Sequence, residues 1–393
     1  MALGHHFSRG SAIFRAAGAT CTRQAPTLRP FRPHSPRDPA LPLYPFLLEP
    51  IYKEKVWGGR TLERFGRRLP GDPSVRIGES WELADLDATS PSGGGGEPAK
   101  TRIRNGPLIE RTLAEVVEDF GPLVTGDVRL ASGGRVPILL KYLDARESLS
   151  VQVHPSPEYA AAHSRAHLKS EAWYVIDAED DAVIYKGIVE GTTREDLEAA
   201  IRDGRVPDLL VQVPVKAGDC HDLPSGTCHA LGAGIFVAEV QTPSDTNFRV
   251  YDWGRTGREL HIEQALECIE LGPAETAQFE PGTTSSHGDA VARELVVCEH
   301  VTMSEWMVLR DGEVVFDTDE MLLLMLVRGE AELRWSDEVP PLGVRAGDTV
   351  LLPAALEATT VVASTDATFL EVRPLGAPVA SSGGRSLPIL GAT

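Results

Sequence analysis

Two histidines, a glutamate and a glutamine lie in the sequence at a spacing that can bind a metal ion. Gln152 and His154 are two positions apart, so on a β-strand both side chains point to the same face. Glu171 lies in a second segment, and His229 follows Gly226, a residue type that permits a sharp turn. Two neutral imidazoles, a carboxylate and an amide oxygen suit a divalent cation of the zinc type and leave room for water or substrate. The set as a whole therefore predicts a metal site.

Each member of this set also has an ordinary structural interpretation. A single histidine on a strand is more often a hydrogen-bonded interior residue than a metal ligand. The combination is more specific, because the 152/154 pair is followed by a Pro-x-Gly-x-x-His turn over 224–229. This combination favours a metal site over two unrelated interior histidines.

Short strands are the elements that must position these side chains. The chain contains 29 Pro and 37 Gly, which favour short strands and turns over long helices. Apolar-rich patterns predict strands over 137–143, 149–154, 172–177, 182–186, 220–223, 235–241 and 248–251. Helices are predicted over 112–120, 156–163, 192–203 and 261–270. Capping boxes, Thr112 with Glu115 and Thr192 with Glu195, are expected to begin the first and third of these helices.

A repeated phrase indicates two copies of one β-module. Residues 216–224 and 345–353 both read Lys/Arg-Ala-Gly-Asp-x4-Pro. Gly226 and His229 follow the first copy, whereas 354–356 are Ala-Ala-Leu after the second. Because the second copy keeps the turn and loses the histidine, we expect it to be structural. The predicted organisation is a disordered tail over 1–40, a catalytic domain with a helical insertion over 41–280, a second β-domain over 290–375 and a tail over 376–393.

Composition excludes several classes of function. Of 393 residues, 42% are hydrophobic and 24% are charged, which is ordinary for a globular protein. The net charge of −19 argues against nucleic-acid binding, so a phosphorylated substrate would have to be held by a few placed cations. Five scattered cysteines without a Cys-x-x-Cys motif favour reduced thiols in the cytoplasm. The longest aliphatic run, 321–327, is too short to span a membrane.

The first 40 residues differ in kind from the rest. They contain six Arg and one acidic residue, with no apolar segment typical of a secretory signal. A non-functional tail is the favoured interpretation. A transit peptide or an upstream start codon would explain the same composition.

The chain resembles the type I mannose-6-phosphate isomerases of the cupin superfamily, in their short bacterial form. The second cupin motif is matched by Gly218-x5-Pro-x-Gly-x2-His229. More specific matches occur in the family's order at 55–59 (KVWGG), 77–82 (IGESWE), 137–141 (PILLK), 149–155 (LSVQVHP), 169–175 (KSEAWYV), 226–231 (GTCHAL) and 244–252 (SDTNFRVYD). The resemblance implies a mainly β protein built from cupin (jelly-roll) β-barrels. The N-terminal barrel would be catalytic, with a small helical insertion, and the C-terminal barrel would be degenerate.

The resemblance also implies the residues of the site. It assigns one Zn²⁺ per chain to Gln152, His154, Glu171 and His229, catalysis to Arg249 and Glu239, and substrate binding to Ser150 and Lys169. Some long-form members carry a histidine just ahead of the lysine segment. Leu168 and its neighbours depart from that pattern, so no histidine is assigned there and the identity of the general base stays open. Trp57 and Trp81 are interpreted as core aromatics rather than as platforms for a sugar.

The implied activity is the interconversion of mannose 6-phosphate and fructose 6-phosphate, an aldose–ketose isomerisation through a metal-assisted enediol. Arg249 would stabilise the enediolate or hold the phosphate, and Glu239 would transfer a proton or only pair with Arg249. Lys169 would grip the phosphate together with Ser150, or form a surface pair with Glu171. The alternatives are a cupin-type glucose-6-phosphate isomerase and a non-catalytic sugar-binding cupin. The expected partner is a small-molecule sugar phosphate, with no nucleic acid, no membrane, and a monomeric or weakly oligomeric state.

Overall fold

The computed structural model describes residues 43–90, 94–163, 166–274, 279–280 and 282–376. The tail predicted over 1–40 lies outside the described residues, as does the tail predicted over 376–393 apart from its first residue. The described chain is mainly β, which confirms the predicted fold class.

Strands of the first β-module form two sheets. In chain order the strands up to residue 251 are β1 (Phe46–Leu47), β2 (Ile51–Gly59), β3 (Ile77–Leu83), β4 (Asp85–Leu86), β5 (Ala99–Lys100), β6 (Leu139–Ala145), β7 (Val151–Val153), β8 (Glu171–Ala178), β9 (Val183–Ile188), β10 (Leu210–Pro214), β11 (Cys220–Leu223), β12 (His229–Leu231), β13 (Ile235–Gln241) and β14 (Phe248–Tyr251). A six-stranded sheet has the order β11-β8-β13-β6-β2-β3, and a five-stranded sheet has the order β10-β9-β12-β7-β14. The short strands β4 and β5 pair with each other.

The second β-module also consists of two sheets. Its strands are β15 (Thr284–His287), β16 (Ala290–Val297), β17 (Val301–Val308), β18 (Glu313–Thr318), β19 (Leu322–Arg328), β20 (Glu330–Arg334), β21 (Leu342–Arg345), β22 (Thr349–Leu352), β23 (Glu357–Ala363) and β24 (Ala367–Pro374). The seven-stranded sheet has the order β1-β22-β19-β24-β17-β16-β15, so the first strand of the chain joins the second module. The four-stranded sheet has the order β18-β23-β20-β21.

Apolar side chains fill the space between the two sheets of the second module. Leu322, Leu324 and Leu326 of β19 belong to one buried cluster with Phe316 of β18 and Phe369 of β24. The corresponding space of the first module holds polar residues as well, which form the site described below. The contrast agrees with the expectation that the second copy is degenerate.

The sequence repeat is also a structural repeat. In the first copy the backbone N–H of Lys216 donates to the Asp219 carboxylate at 2.9 Å, and in the second that of Arg345 donates to Asp348 at 3.0 Å. Each turn leads into a strand, β11 or β22, which pairs antiparallel with β8 or β19. The two copies therefore build the same turn and the same strand pairing.

The two modules hold each other's repeat turn. Arg67 of the first module donates to the carbonyl oxygen of Gly347 in the second turn and forms a bidentate pair with Glu82. Arg293 of the second module donates to the carbonyl oxygen of Gly218 in the first turn at 2.7 Å. These reciprocal contacts join the two modules. The predicted domain boundaries stay predictions.

Short helices connect the strands. They are α1 (Leu113–Phe120), α2 (Pro122–Thr125), α3 (Pro157–Ala162), α4 (Arg194–Asp203) and α5 (Ile262–Cys268), with 3₁₀ turns at Thr61–Phe65, Val206–Leu209 and Ala354–Leu356. None of the helices in the described ranges is long and apolar enough to cross a membrane. The described cysteines, Cys220, Cys228, Cys268 and Cys298, are free thiols.

The capping box of α1 is as predicted, but that of α4 begins one residue later. Thr193 caps α4, with Asp196 as the reciprocal partner, instead of Thr192 with Glu195. Thr192 is used in the preceding turn, where its hydroxyl donates to the carbonyl oxygen of Val189 at 2.7 Å. The sequence Thr-Thr-Arg-Glu-Asp over 192–196 allows a capping box from either threonine to the acid three positions later. The turn before the helix, which uses Thr192, decides between the two.

This difference predicts the effect of two neighbouring substitutions. Thr193→Ala is expected to lower the free energy of unfolding by about 1 kcal/mol, because it leaves helix N–H groups without an acceptor. Thr192→Ala is expected to cost about 0.5 kcal/mol or less. Urea unfolding followed by circular dichroism measures both. An equal or larger cost at Thr192 would contradict the cap seen in the structure.

Candidate active site

Three predicted metal ligands meet in a buried cluster. His154 follows the last residue of β7, Glu171 begins β8 and His229 begins β12. The Nε2 atom of His154 lies 3.2 Å from Oε2 of Glu171, and Nε2 of His229 lies 3.1 Å from Oε1. The three side chains are almost fully buried, and one ligand atom from each lies within 4.8 Å of the others. We call these three residues the cluster.

The orientation of the cluster fits a metal ion. Nδ1 of His229 lies 2.8 Å from the carbonyl oxygen of Thr227, so Nδ1–H donates to that oxygen and the lone pair of Nε2 faces Glu171. Nε2 of both histidines and Oε1 of Glu171 are buried without a hydrogen-bond partner among the described residues, whereas the Lys169 ammonium lies 2.9 Å from Oε2 of Glu171. Three converging acceptor atoms without a donor would be costly in a dry interior. A cation between the two imidazoles and the carboxylate would satisfy them.

The protonation states of the cluster are also those that a metal needs. Burial, together with the positive charge of Lys169, lowers the pKa of His154 to about 3. Burial alone would disfavour a charged Glu171, but Lys169 and His154 hold the pKa of this carboxyl well below its usual value. At neutral pH His154 is therefore a neutral imidazole and Glu171 a carboxylate, as metal binding requires.

The fourth predicted ligand lies on the neighbouring strand. Gln152 of β7 is in register with His229 of β12 on one side and with Arg249 of β14 on the other. Paired residues of neighbouring strands point to the same face of a sheet, so Gln152 faces the same interior as His229. Its position is compatible with the predicted ligand role, which stays a prediction.

A polar pocket adjoins the cluster and holds the other predicted site residues. It has a cavity volume of about 180 Å³ and opens to solvent. Ser150, Gln152, Lys169, Glu239 and Arg249 all line it. The other lining residues are Glu54, Lys55, Val56, Trp57, Glu79, Lys141, Leu143, Leu149, Asn247 and Arg258. The structure thus brings every predicted site residue to the cluster or to this polar pocket.

Lys169 connects the pocket to the cluster. Its Nζ atom lies 2.9 Å from Oε2 of Glu171 and donates to Oδ1 of Asn247 at 3.0 Å. The residue is only 2% exposed, so the alternative of a surface pair with Glu171 is wrong. Instead, its ammonium group is held beside a proposed metal ligand.

Glu239 is paired with a lysine that the sequence analysis did not assign. Nζ of Lys141 lies 2.7 Å from Oε2 of Glu239, and the indole N–H of Trp173 donates to Oε1 at 3.1 Å. Among the described residues Glu239 forms no ion pair with Arg249, so the suggested network between them is not present. Burial and the negative charge of Glu171 raise the pKa of Glu239, against the opposing charge of Lys141. One signal for Lys141 was available: a lysine stands in the otherwise apolar strand segment 137–141.

Arg249 differs from the other cations of the pocket. Its Nη1 donates to the carbonyl oxygen of Glu259 at 2.7 Å, whereas its Nε has no hydrogen-bond partner among the described residues. Within the described ranges it forms no ion pair with a carboxylate, whereas Arg258 is bound by Asp252. Burial, with the charge of Arg258, lowers the pKa of Arg249. The charge of Asp252 opposes this shift in pKa without a direct contact, so the Arg249 guanidinium has no ion-pair partner in the described part of the chain.

A bulge in β2 forms one wall of the pocket. Glu54 and Gly59 are both paired with Ile77, so residues 55–58 have no paired residue in β3, although Gly58 pairs with Ala145 of β6. Lys55, Val56 and Trp57 consequently line the pocket, and Lys55 pairs with Glu79 at 3.1 Å. Trp57 thus lies at the site and is not only a core residue.

Trp81 has the predicted core position. It is 1% exposed and is absent from the pocket lining, and its indole N–H donates to Glu79 at 2.7 Å.

Comparisons with known proteins agree with this geometry. Residues 46–184 match the family model for the phosphomannose isomerase type I catalytic domain. The chain is 35% identical to mannose-6-phosphate isomerase ManA of Bacillus subtilis over 325 residues, covering 79% of this chain and 94% of that protein. It is 34% identical to the mannose-6-phosphate isomerase of Streptococcus mutans over 320 residues, covering 80% of this chain and 93% of that protein. The crystal structure of the Bacillus subtilis mannose 6-phosphate isomerase superposes with a TM-score of 0.72 at 30% identity, over 84% of this chain and 99% of that one.

Proposed function

Because the chain belongs to the phosphomannose isomerase type I family, we propose that it interconverts mannose 6-phosphate and fructose 6-phosphate in the polar pocket beside the His154–Glu171–His229 cluster. The substrate would enter with its reacting carbons towards the cluster. The chain's own residues would orient it and move its protons.

The observation that carries this proposal is the charge of the polar pocket. The lining contains five cations, Lys55, Lys141, Lys169, Arg249 and Arg258, and three carboxylates, Glu54, Glu79 and Glu239. The pocket thus gathers cations in a chain whose net charge is −19. Two of them have carboxylate partners outside the lining, Lys169 with Glu171 and Arg258 with Asp252, so Arg249 is the lining cation without a carboxylate partner among the described residues. A phosphomonoester carries about −1.5 to −2 at neutral pH. Arg249 and the clustered lysines therefore offer charged hydrogen-bond donors to the phosphate of a sugar phosphate.

The cluster supports the assignment of one zinc ion per chain. Gln152, His154, Glu171 and His229 would hold it, a donor set of nitrogen and oxygen atoms that suits zinc. When bound, a divalent metal polarises the substrate carbonyl and stabilises negative charge on its oxygen.

Glu239 is the carboxylate proposed to carry the proton between C1 and C2 of the substrate. A carboxyl group accepts and releases a proton most readily when its pKa lies near the working pH. The pKa of Glu239 is raised and is thus shifted towards neutral pH. The Lys141 ammonium at 2.7 Å stabilises the ionised form, which is the form that must accept the proton first. Isomerisation returns that proton to the neighbouring carbon, so the carboxylate is regenerated in each cycle.

Arg249 is proposed to stabilise the negative charge of the enediolate. Within the described ranges its guanidinium forms no direct ion pair, and its Nε–H has no acceptor and can donate to the substrate. Lys169 and Ser150, which both line the pocket, would bind substrate hydroxyl or phosphate oxygens. Because Lys169 lies beside Glu171, such a contact would be close to the cluster.

A metal analysis combined with a coupled isomerase assay tests the proposed function. We expect about one zinc per chain, turnover of mannose 6-phosphate, loss of turnover after chelation and recovery on adding Zn²⁺. Turnover of glucose 6-phosphate without turnover of mannose 6-phosphate would indicate a glucose-6-phosphate isomerase instead. Binding of sugar phosphate without turnover of either would indicate a sugar-binding cupin.

A further inference from the structure

The segment 259–261 contacts Arg249 at three points. The carbonyl oxygen of Glu259 accepts from the guanidinium at 2.7 Å. Nδ1 of His261 accepts from the backbone N–H of Arg249 at 3.2 Å. The backbone N–H of His261 in turn donates to the carbonyl oxygen of Arg249 at 2.8 Å. Two of the three contacts therefore come from His261, and both bind the backbone of Arg249.

These two contacts complete the edge of a sheet. Strand β14 is the last strand of the five-stranded sheet, and its ladder with β7 is irregular between Arg249 and Tyr251. In an antiparallel strand the N–H and C=O groups of one residue point to the same side. His261 supplies an acceptor for the N–H of Arg249 and a donor for its C=O. At this position a single residue thus takes the place of a partner strand.

The position of His261 makes the contact unusual. It is the N-cap residue of α5, where a side chain normally accepts from an N–H group of the first helical turn. The imidazole makes no such capping bond. Helix capping therefore does not account for the side chain at this position, whereas the contact with Arg249 does.

The hydrogen bond also requires a particular form of the ring. Nδ1 must carry a lone pair to accept from the Arg249 N–H, so a neutral ring holds its proton on Nε2. Burial and the charge of Arg249 lower the pKa of His261, with an opposing effect of Glu259. The ring is accordingly neutral at neutral pH.

We propose that His261 is a positioning residue that fixes the backbone of Arg249 and thereby aims its guanidinium into the polar pocket. The proposal rests on the proposed function, because it takes Arg249 as a group that acts on the substrate. Arg249 is only 4% exposed and lies on an edge strand, so a shift of its backbone would move the guanidinium directly. A misplacement of about 1 Å can cost as much as about 100-fold in rate.

Two amide substitutions separate this role from a general structural one. His261→Asn keeps an acceptor near the position of Nδ1, whereas His261→Gln places its amide near the position of Nε2. We expect kcat within about threefold of wild type for His261→Asn and about tenfold lower for His261→Gln and His261→Ala. Leu260→Ala, at the exposed neighbouring position, is the matched control and is expected to keep wild-type kcat.

A double-mutant cycle measures whether His261 acts through Arg249. If His261 acts through Arg249, His261→Ala lowers turnover no further in an Arg249→Ala background. Three results would overturn the proposal: full kcat in the His261→Ala variant, no advantage of Asn over Gln and Ala, or an equal loss with and without Arg249. Melting temperatures of all variants identify any loss that comes from unfolding. Failure of the proposed function is distinguishable, because it would appear as absent mannose 6-phosphate turnover in the wild-type chain.

Discussion

Alanine in place of His154 or His229 is expected to remove most bound zinc and to lower isomerase activity by more than about 100-fold. The reason is the geometry of the cluster, in which each imidazole presents Nε2 to a different oxygen of Glu171. Even a residue that only supports a ligand typically contributes about 10- to 100-fold to metal affinity or activity, so loss of a ligand should cost more. Zinc per chain after dialysis, measured by mass spectrometry, and kcat for mannose 6-phosphate check the expectation.

His221 provides a matched control for this experiment. It is also a buried histidine, 2% exposed, and its two ring nitrogens lack a hydrogen-bond partner within the described ranges. It lies outside the cluster, so His221→Ala should keep zinc near one per chain although it removes a similar buried side chain. Full zinc occupancy in a His154→Ala, His229→Ala double variant would contradict the metal site. Equal zinc loss in all three single variants would also contradict it, since loss of packing alone would then explain the result.

The cluster could be predicted because its signals are local in the sequence. The pair at 152 and 154 depends only on the alternation of side chains along a strand. Gly226 has a φ of +90° in the turn before His229, a conformation that favours glycine, so the turn was also visible in the residue type. The strands over 220–223, 235–241 and 248–251 have the predicted bounds, because each is a short apolar-rich run between turn residues.

The parts of the site that the sequence analysis missed depend on contacts between distant segments. The bulge at 55–58 arises from how β2 pairs with β3. It brings Gly58 against the backbone of Gly78, where a Cβ on Gly58 would collide with the Gly78 nitrogen, so it too depends on a contact between separate segments. Lys141 stands out in the sequence as a lysine in an apolar strand segment, but its partner Glu239 is 98 positions later in the chain and lies 2.7 Å away only in the folded protein. In the sequence, nothing distinguishes His261 from an ordinary residue at the start of a helix. Its contact with Arg249 forms only when α5 packs beside β14. Sequence reasoning thus finds ligands that share a strand or a turn, and misses groups that become neighbours through folding.

Arg249→Lys is expected to lower kcat for mannose 6-phosphate by about 100-fold with little change in KM. The guanidinium is buried, forms no direct ion pair within the described ranges and lines the pocket, so it can stabilise charge that develops only in the enediolate. Loss of one well-placed electrostatic donor typically costs about 100- to 1000-fold in kcat. Lysine keeps the charge but lacks the planar fork of donors, so Arg249→Ala should be slower still. Steady-state kinetics and the melting temperature of both variants measure the effect.

The same measurements distinguish three roles of Arg249. An arginine that acts in the transition state lowers kcat when it is replaced, whereas an arginine that only holds the phosphate raises KM and leaves kcat near wild type. An arginine that only supports the fold lowers the melting temperature before it lowers turnover per folded molecule. Arg255→Lys is the matched control, because Arg255 pairs with Asp252 at 2.9 Å and is not among the pocket residues. We expect wild-type kcat and KM for this control. A stable Arg249→Ala variant with wild-type kcat would rule out the catalytic role, because the only pocket cation without a carboxylate partner in the described chain would then contribute nothing to the transition state.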